Sequence, residues 1–67
     1  MALRLLGFRH GQRVRDNRTG STGTVRIIRL DPVEAADCGY ALLGEVRWDT
    51  SFVHEQLDLV ARHLTAL

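Results

Sequence analysis

Gly20 and Gly23 lie between two short stretches that carry the pattern of β-strands. Before them, "QRVRD" (12–16) alternates polar and apolar residues around Val14, as a half-buried strand does. After them, "TVRIIRL" (24–30) is β-branched and apolar. Gly20 suits the positive φ of a tight turn, and Gly23 suits a bulge or a close approach of two backbones. The segment therefore predicts a β-hairpin, which limits the folds open to so short a chain.

The apolar positions of the second strand change face along its length. Val25 and Ile27 share one face, whereas Ile28 and Leu30 share the other. A bulge near Ile27–Ile28 resolves this conflict by bending the strand, which is how a short sheet curls into a barrel. We therefore expect a bulge there.

The middle of the chain predicts a loop and two further strands. "DPVEAADCG" (31–39) is a loop in which "PVEAAD" can form one helical turn, since proline is favoured at the first helical position. "YALLGEVRWD" (40–49) is a strand that can break at Gly44, and "FVH" (52–54) is a short return strand.

The tail supports two interpretations. Four apolar residues follow the rhythm of an amphipathic helix: Val53, Leu57, Val60 and Leu64. Alternatively, "EQLD" is a one-turn link that precedes a last strand, "LVARH". We favour the second interpretation because the preceding pattern is that of a small barrel.

The size of the chain predicts a single domain over residues 1–67, with a small core. Its one cysteine, Cys38, can form no internal disulfide and belongs to no CxxC zinc pair, so we expect neither metal nor cofactor. Small cores of this kind often gain stability from oligomerisation, which makes a homo-oligomer a candidate assembly. No apolar run is long enough for a secretory signal or a membrane helix, so we expect a cytoplasmic protein without a membrane partner.

Charge is distributed unevenly along the chain, although the net charge is only +1. Residues 1–30 contain seven arginines and one acid, whereas residues 31–67 contain two arginines and seven acids. Such asymmetry can mark a nucleic-acid-binding face. It arises equally where strands from the two halves lie side by side and pair their charges across a sheet. Both interpretations remain open from the sequence.

Two segments carry a resemblance to a known architecture. "GQRVRDNRTGSTGTV" resembles a KOW-type segment, and "EVRWDTSFVHEQLDLV" resembles the later strands of Src-homology-3-like (SH3-like) barrels. Together they cover residues 11–60. Gln12 and Asp16 stand where KOW segments usually carry an aspartate and an apolar residue, so only the architecture is carried over. The chain thus resembles the SH3-like small-barrel superfamily, with KOW/Tudor-like architecture. The resemblance implies an all-β, five-stranded SH3-like barrel with one short helical turn.

The sequence favours a binding module over an enzyme. No nucleophile–base motif stands out, and the three histidines and Cys38 lack metal-ligand spacing. The loop of the first hairpin has no aromatic residue, so a methyl-lysine cage is not expected either.

Two binding hypotheses follow. The first is nucleic-acid binding through the arginines of the first hairpin, which the resemblance to KOW-like barrels implies and which would rest on phosphate contacts. These candidate residues are Arg13, Arg15, Arg18, Arg26 and Arg29. The second is a self-associating or protein-interaction module that uses apolar strands and sheet edges.

Overall fold

A computed structural model describes residues 3–67 of the chain. Within this range the strands are β1 (Arg4–Leu5), β2 (Phe8–Arg9), β3 (Arg13–Asp16), β4 (Thr22–Arg29), β5 (Leu42–Trp48), β6 (His54–Gln56) and β7 (Leu64–Ala66). The helices are α1 (Pro32–Cys38) and α2 (Leu57–Val60), and α2 continues into a 3-10 turn, Ala61–His63. The predicted all-β class is thus confirmed in its main content. None of the described helices is long and apolar enough to cross a membrane.

Five strands form one antiparallel sheet, in the order β6-β5-β4-β3-β7. The strands β1 and β2 form a separate hairpin joined by a two-residue turn, Leu6–Gly7. Both turn residues have positive φ, 53° and 86°, as the tight turns of β-hairpins require.

The predicted first hairpin is present as β3 and β4. Gly20 has φ 79° in the turn between them, as expected. Gly23 packs directly against β5, because a Cβ added there would lie 2.7 Å from the backbone oxygen of Arg47 and 2.9 Å from the Trp48 ring. Gly20 therefore makes the turn, and Gly23 allows the two backbones to approach closely.

The bulge predicted near Ile27–Ile28 is absent from the described structure. β4 pairs with β5 in continuous register from Gly23 opposite Trp48 to Arg29 opposite Leu42. Ile27 is buried, whereas Ile28 lies half-buried on the other face, so a straight strand accommodates both. The expectation was wrong because an apolar residue on the outer face is tolerated without a change of register.

A bulge lies instead where the chain enters β3. The N–H of Gly11 donates to the Val25 carbonyl at 2.8 Å, and the N–H of Val25 donates to the Gln12 carbonyl at 2.9 Å. Gly11 and Gln12 therefore lie opposite the single residue Val25, which defines a β-bulge. Gly11 has the positive φ, 84°, that this kind of bulge requires.

Helix α1 has the predicted proline at its start. The Asp31 carboxylate accepts hydrogen bonds from the backbone N–H groups of Val33 and Glu34, both at 2.9 Å, and so caps the helix. Gly39 ends it in the left-handed conformation. The helix lies within the loop of residues 31–39, as expected.

Two strand predictions need correction. β5 runs unbroken through Gly44, which pairs with Ile27 in continuous register. Glycine is present there because a Cβ would lie within 3.0 Å of the Leu5 and Leu57 side chains. The return strand β6 begins at His54, so Phe52 and Val53 lie in the loop before it rather than in a strand.

The tail combines the two interpretations. Residues 57–63 are helical, as the apolar rhythm indicates, and a last strand follows. That strand is Leu64–Ala66 and not "LVARH", because Leu57 and Val60 are needed inside the core, where a helical turn places them together. β7 then pairs with β3.

The core lies between the sheet, the β1–β2 hairpin and α2. Its buried residues are Phe8, Val14, Val25, Ile27, Val46, Leu57 and Val60. This small core leaves the opposite face of the sheet free to carry polar and charged side chains.

Candidate functional site

The outer face of the sheet carries the arginines of the first hairpin. Along β3, Arg13 and Arg15 are exposed while Val14 and Asp16 are buried, which is strict strand alternation. Arg26 on β4 is exposed on the same outer face, since its neighbours Val25 and Ile27 are buried.

Strand pairing aligns basic residues from different parts of the chain in one row. Arg13 is opposite Thr24, Thr24 is opposite Arg47, and Arg47 is opposite His54. The side chains of directly opposed residues start about 4.5–5.5 Å apart. This row therefore crosses four strands and brings the guanidinium groups of Arg13 and Arg47 to one face.

Arg13 is committed to an internal ion pair. Its guanidinium donates to both carboxylate oxygens of Asp49, one of them at 2.7 Å, and to Thr24 Oγ1 at 2.9 Å. The two hydrogen bonds from Arg13 to Asp49, and one from the Thr22 hydroxyl at 2.6 Å, hold the pKa of Asp49 well below its ordinary value. The guanidinium of Arg13 is therefore paired within the sheet and does not line a groove as an unpaired donor.

Arg18 is likewise committed, at the turn of the hairpin. Its guanidinium donates to the Asp16 carboxylate at 3.0 and 3.2 Å, and its backbone N–H donates at 2.8 Å. Asp16 is only 3% exposed. The hydrogen bonds from Arg18 lower the pKa of Asp16, so this pair fixes the turn.

The other hairpin arginines have fewer partners. Arg26 reaches Glu45 only at 3.8 Å, beyond hydrogen-bonding distance. Arg15 and Arg29 are exposed, and within residues 3–67 no carboxylate lies within 4.0 Å of either guanidinium. Cross-strand pairing of charges, one of the two interpretations, is therefore present in part of the hairpin, and the nucleic-acid interpretation stays a prediction. The pairs of Arg13 and Arg26 join the two halves of the chain across the sheet, whereas Arg15 and Arg29 are free of such pairs.

Arg26 lies in an open groove of about 580 Å³ on this surface. The groove, here called the basic groove, is lined by His10, Gly11, Thr24, Val25, Arg26, Arg47, Trp48, Asp49, Ser51, Phe52 and His54. Arg47 is exposed and, in the part of the chain described, has no carboxylate within 4.0 Å. The structure thus brings together Arg26 and Arg47, while Arg15, Arg18 and Arg29 do not line this groove.

Two histidines complete the basic groove. His10 accepts a hydrogen bond at Nδ1 from the backbone N–H of Ile27, at 3.0 Å, which holds its ring against β4. His54 Nδ1 lies 3.5 Å from Glu45. Glu45 therefore lies within 4.0 Å of both His54 and Arg26 beside the groove, and Asp49, which is paired with Arg13, is the acidic residue of the groove lining.

Arg47, His10 and His54 were missing from the predicted site. Arg47 belongs to the acidic half of the chain, so a charge sum taken by halves conceals it. Strand alternation does place Arg47 on the polar face of β5, which was the available signal. The alignment of β5 with β4 depends on register, which the sequence of one strand does not contain.

Within residues 3–67, no group of three or more histidine, cysteine, aspartate or glutamate side chains could hold a metal ion. Comparison with protein-family models, curated proteins and solved structures finds no match for this chain. The basic groove is therefore interpreted from its own chemistry.

Proposed function

We propose that the protein is a non-enzymatic binding module that binds nucleic acid at the basic groove. The observation that carries the proposal is the presence of both Arg26 and Arg47 in the lining of one open groove. Among the described residues, no carboxylate lies within 4.0 Å of the Arg47 guanidinium. A free guanidinium presents a planar set of donors that matches a phosphate group. Phosphate contacts of this kind supply most of the affinity of non-specific nucleic-acid binding.

We also propose that the sheet closes into the SH3-like barrel that the sequence resembles. Three features support this: the strand order β6-β5-β4-β3-β7, the helical turn between β6 and β7, and the bulge at Gly11 that bends the entry to β3. The basic groove would then lie on the outside of the barrel.

Fluorescence anisotropy with labelled single- and double-stranded oligonucleotides, at two salt concentrations, tests the nucleic-acid proposal. We expect affinity that falls steeply with salt, because each phosphate contact releases counterions. Arg47→Ala should weaken binding and reduce the salt slope by about 1. The matched control is Arg62→Ala, which removes the same charge from an exposed arginine outside the groove.

Two results would overturn the proposal. One is the absence of binding by the wild-type protein at low salt. The other is an equal loss in the Arg47 and Arg62 variants, which would mean that net charge rather than the groove governs affinity.

A further inference from the structure

Phe52 is a fully exposed aromatic side chain in the lining of the basic groove. It lies in the loop between β5 and β6, two residues before His54, and His54 is opposite Arg47 in the sheet. Single exposed apolar residues are common on protein surfaces and need no partner. Phe52 differs because its ring shares one groove with the guanidinium groups of Arg26 and Arg47. An aromatic ring beside such groups is the combination that holds a base and its phosphates.

The ring of Phe52 is available to a ligand, whereas that of the other aromatic residue in the groove lining is not. Trp48 follows Val46 on the core-facing side of β5 and packs against the core. Its indole N–H donates to Glu55 at 3.2 Å, so contacts within the protein fix this ring. Phe52 is fully exposed, so none of the described residues covers its ring. Phe52 is therefore the groove residue that can stack on a ligand.

Two acidic residues near Phe52 are already paired within the protein. The carboxylate of Asp49, in the groove lining, accepts hydrogen bonds from Arg13 on both of its oxygens. Glu55 alternates with His54 along β6, so it lies on the opposite face of that strand and accepts the hydrogen bond from the Trp48 indole. Neither carboxylate is therefore an unpaired negative charge facing a phosphate.

The two arginines of the groove are placed to hold separate phosphates. Arg47 lies opposite Thr24, and Arg26 is two residues farther along β4, so the two arginines are diagonal neighbours. Side chains in this relation start about 7–8 Å apart on one face of a sheet. Glu45 lies 3.8 Å from Arg26, whereas among the described residues no carboxylate lies within 4.0 Å of Arg47. Positive charge is thus concentrated at Arg47, the arginine nearer to Phe52 in the sequence.

We infer that the basic groove binds single-stranded nucleic acid, with one unpaired base stacked on Phe52 and neighbouring phosphates held by Arg47 and Arg26. The inference rests on the proposed nucleic-acid binding and names its substrate class. In a duplex both faces of each base are covered by neighbouring bases, so an aromatic side chain reaches a base face only after the duplex is unstacked. A single strand presents its bases without that cost. Every base has a π-face, so we expect little preference among base sequences.

Fluorescence anisotropy with a labelled oligonucleotide that cannot pair with itself, and with the duplex that it forms with its complement, tests the inference. The wild type should bind the single strand more tightly than the duplex. Phe52→Ala should weaken binding of the single strand roughly 5- to 150-fold, which is the loss expected for one stacked base. It should leave the duplex affinity and the salt slope unchanged, because it removes no phosphate contact. Arg47→Ala should weaken binding of both oligonucleotides and lower the salt slope.

Three further variants separate stacking from other effects. Phe52→Tyr keeps an aromatic face and should bind like the wild type. Phe52→Leu keeps an apolar side chain without such a face and should behave like Phe52→Ala. Val53→Ala truncates the next residue of the same loop, which is 62% exposed and does not line the groove, and should change nothing. Far-ultraviolet circular dichroism checks that every variant is folded.

The outcomes distinguish this inference from the proposed function. If Phe52→Ala or Phe52→Leu binds the single strand as tightly as the wild type, the inference is wrong, while binding that depends on Arg47 still supports the groove. Tighter binding of the duplex, or an equal loss on both oligonucleotides in Phe52→Ala, also overturns the inference. A wild-type protein that binds neither oligonucleotide at low salt overturns the proposed function, and the inference with it.

Discussion

The imidazole Nδ1 of His10 accepts a hydrogen bond from the backbone N–H of Ile27 at 3.0 Å. The pairing of β3 with β4 ends at Arg13 opposite Thr24, so Ile27 lies in the part of β4 that has no β3 residue beside it. A side-chain nitrogen thus takes the place of a missing carbonyl acceptor, and the same ring forms one wall of the basic groove.

His10→Ala should therefore lower the free energy of unfolding by about 1–2 kcal/mol, because the N–H of Ile27 loses its acceptor. His10→Asn should lose less, since an amide oxygen can accept the same hydrogen bond. Urea unfolding followed by the emission of Trp48, the one tryptophan of the chain, measures both. Equal losses in the two variants would show that the ring acts by packing and not as an acceptor.

Leu6→Asn should raise the free energy of unfolding by about 1 kcal/mol. Leu6 has φ 53°, a left-handed conformation that a leucine adopts at a cost, and the variant creates the Asn-Gly pair that hairpin turns prefer. Thermal and urea unfolding measure the gain. Leu59→Asn, at an exposed residue of α2 without positive φ, is the control and should give no stabilisation. A destabilised Leu6→Asn protein would show that the apolar surroundings of Leu6, beside Leu5 and Tyr40, contribute more than the strain costs.

Gly23→Ala should destabilise the protein by roughly 1–3 kcal/mol, an overpacking cost. The added methyl group would meet the backbone of Arg47 and the ring of Trp48, so β4 and β5 must separate. A shift in Trp48 emission should accompany the loss of stability in denaturant titrations. A variant with wild-type stability and emission would contradict the close approach of the two strands.

Acid should destabilise the protein through Asp16 and Asp49. Both have a folded pKa below the ordinary value of 3.8, so the unfolded chain binds protons more readily than the folded chain. The stability that these carboxylates contribute is present above about pH 4 and is lost as the pH falls further. Urea unfolding at a series of pH values measures the slope. Asp49→Asn should reduce stability at neutral pH and flatten the acid limb, and an unchanged limb would contradict the assignment to this residue.

Local chemistry made several elements predictable from the sequence. The turn at Gly20, the close approach at Gly23 and the proline at the start of α1 each follow from the conformational limits of one residue. The outward direction of Arg13 and Arg15 follows from strand alternation.

Features that depend on tertiary packing were not predictable in the same way. The bulge lies at Gly11, where the chain turns from the β1–β2 hairpin into the sheet. The residues around Ile27, where the bulge was predicted, carry no information on that turn. Arg47 joins the candidate site through the register of β5 with β4. Arg18 was assigned to a ligand, although the buried Asp16 two residues away binds it.

The pairing of β7 with β3 has a consequence for folding during synthesis. Until the last strand leaves the ribosome, β3 has only β4 beside it and its other edge is open. A nascent chain that ends before Leu64 therefore exposes backbone groups that can pair with another chain. Because this contact joins distant parts of the sequence, it forms late and slowly compared with a local hairpin. Between the synthesis of β4 and that of β7, the open edge of β3 is thus a site at which the growing chain can misassemble.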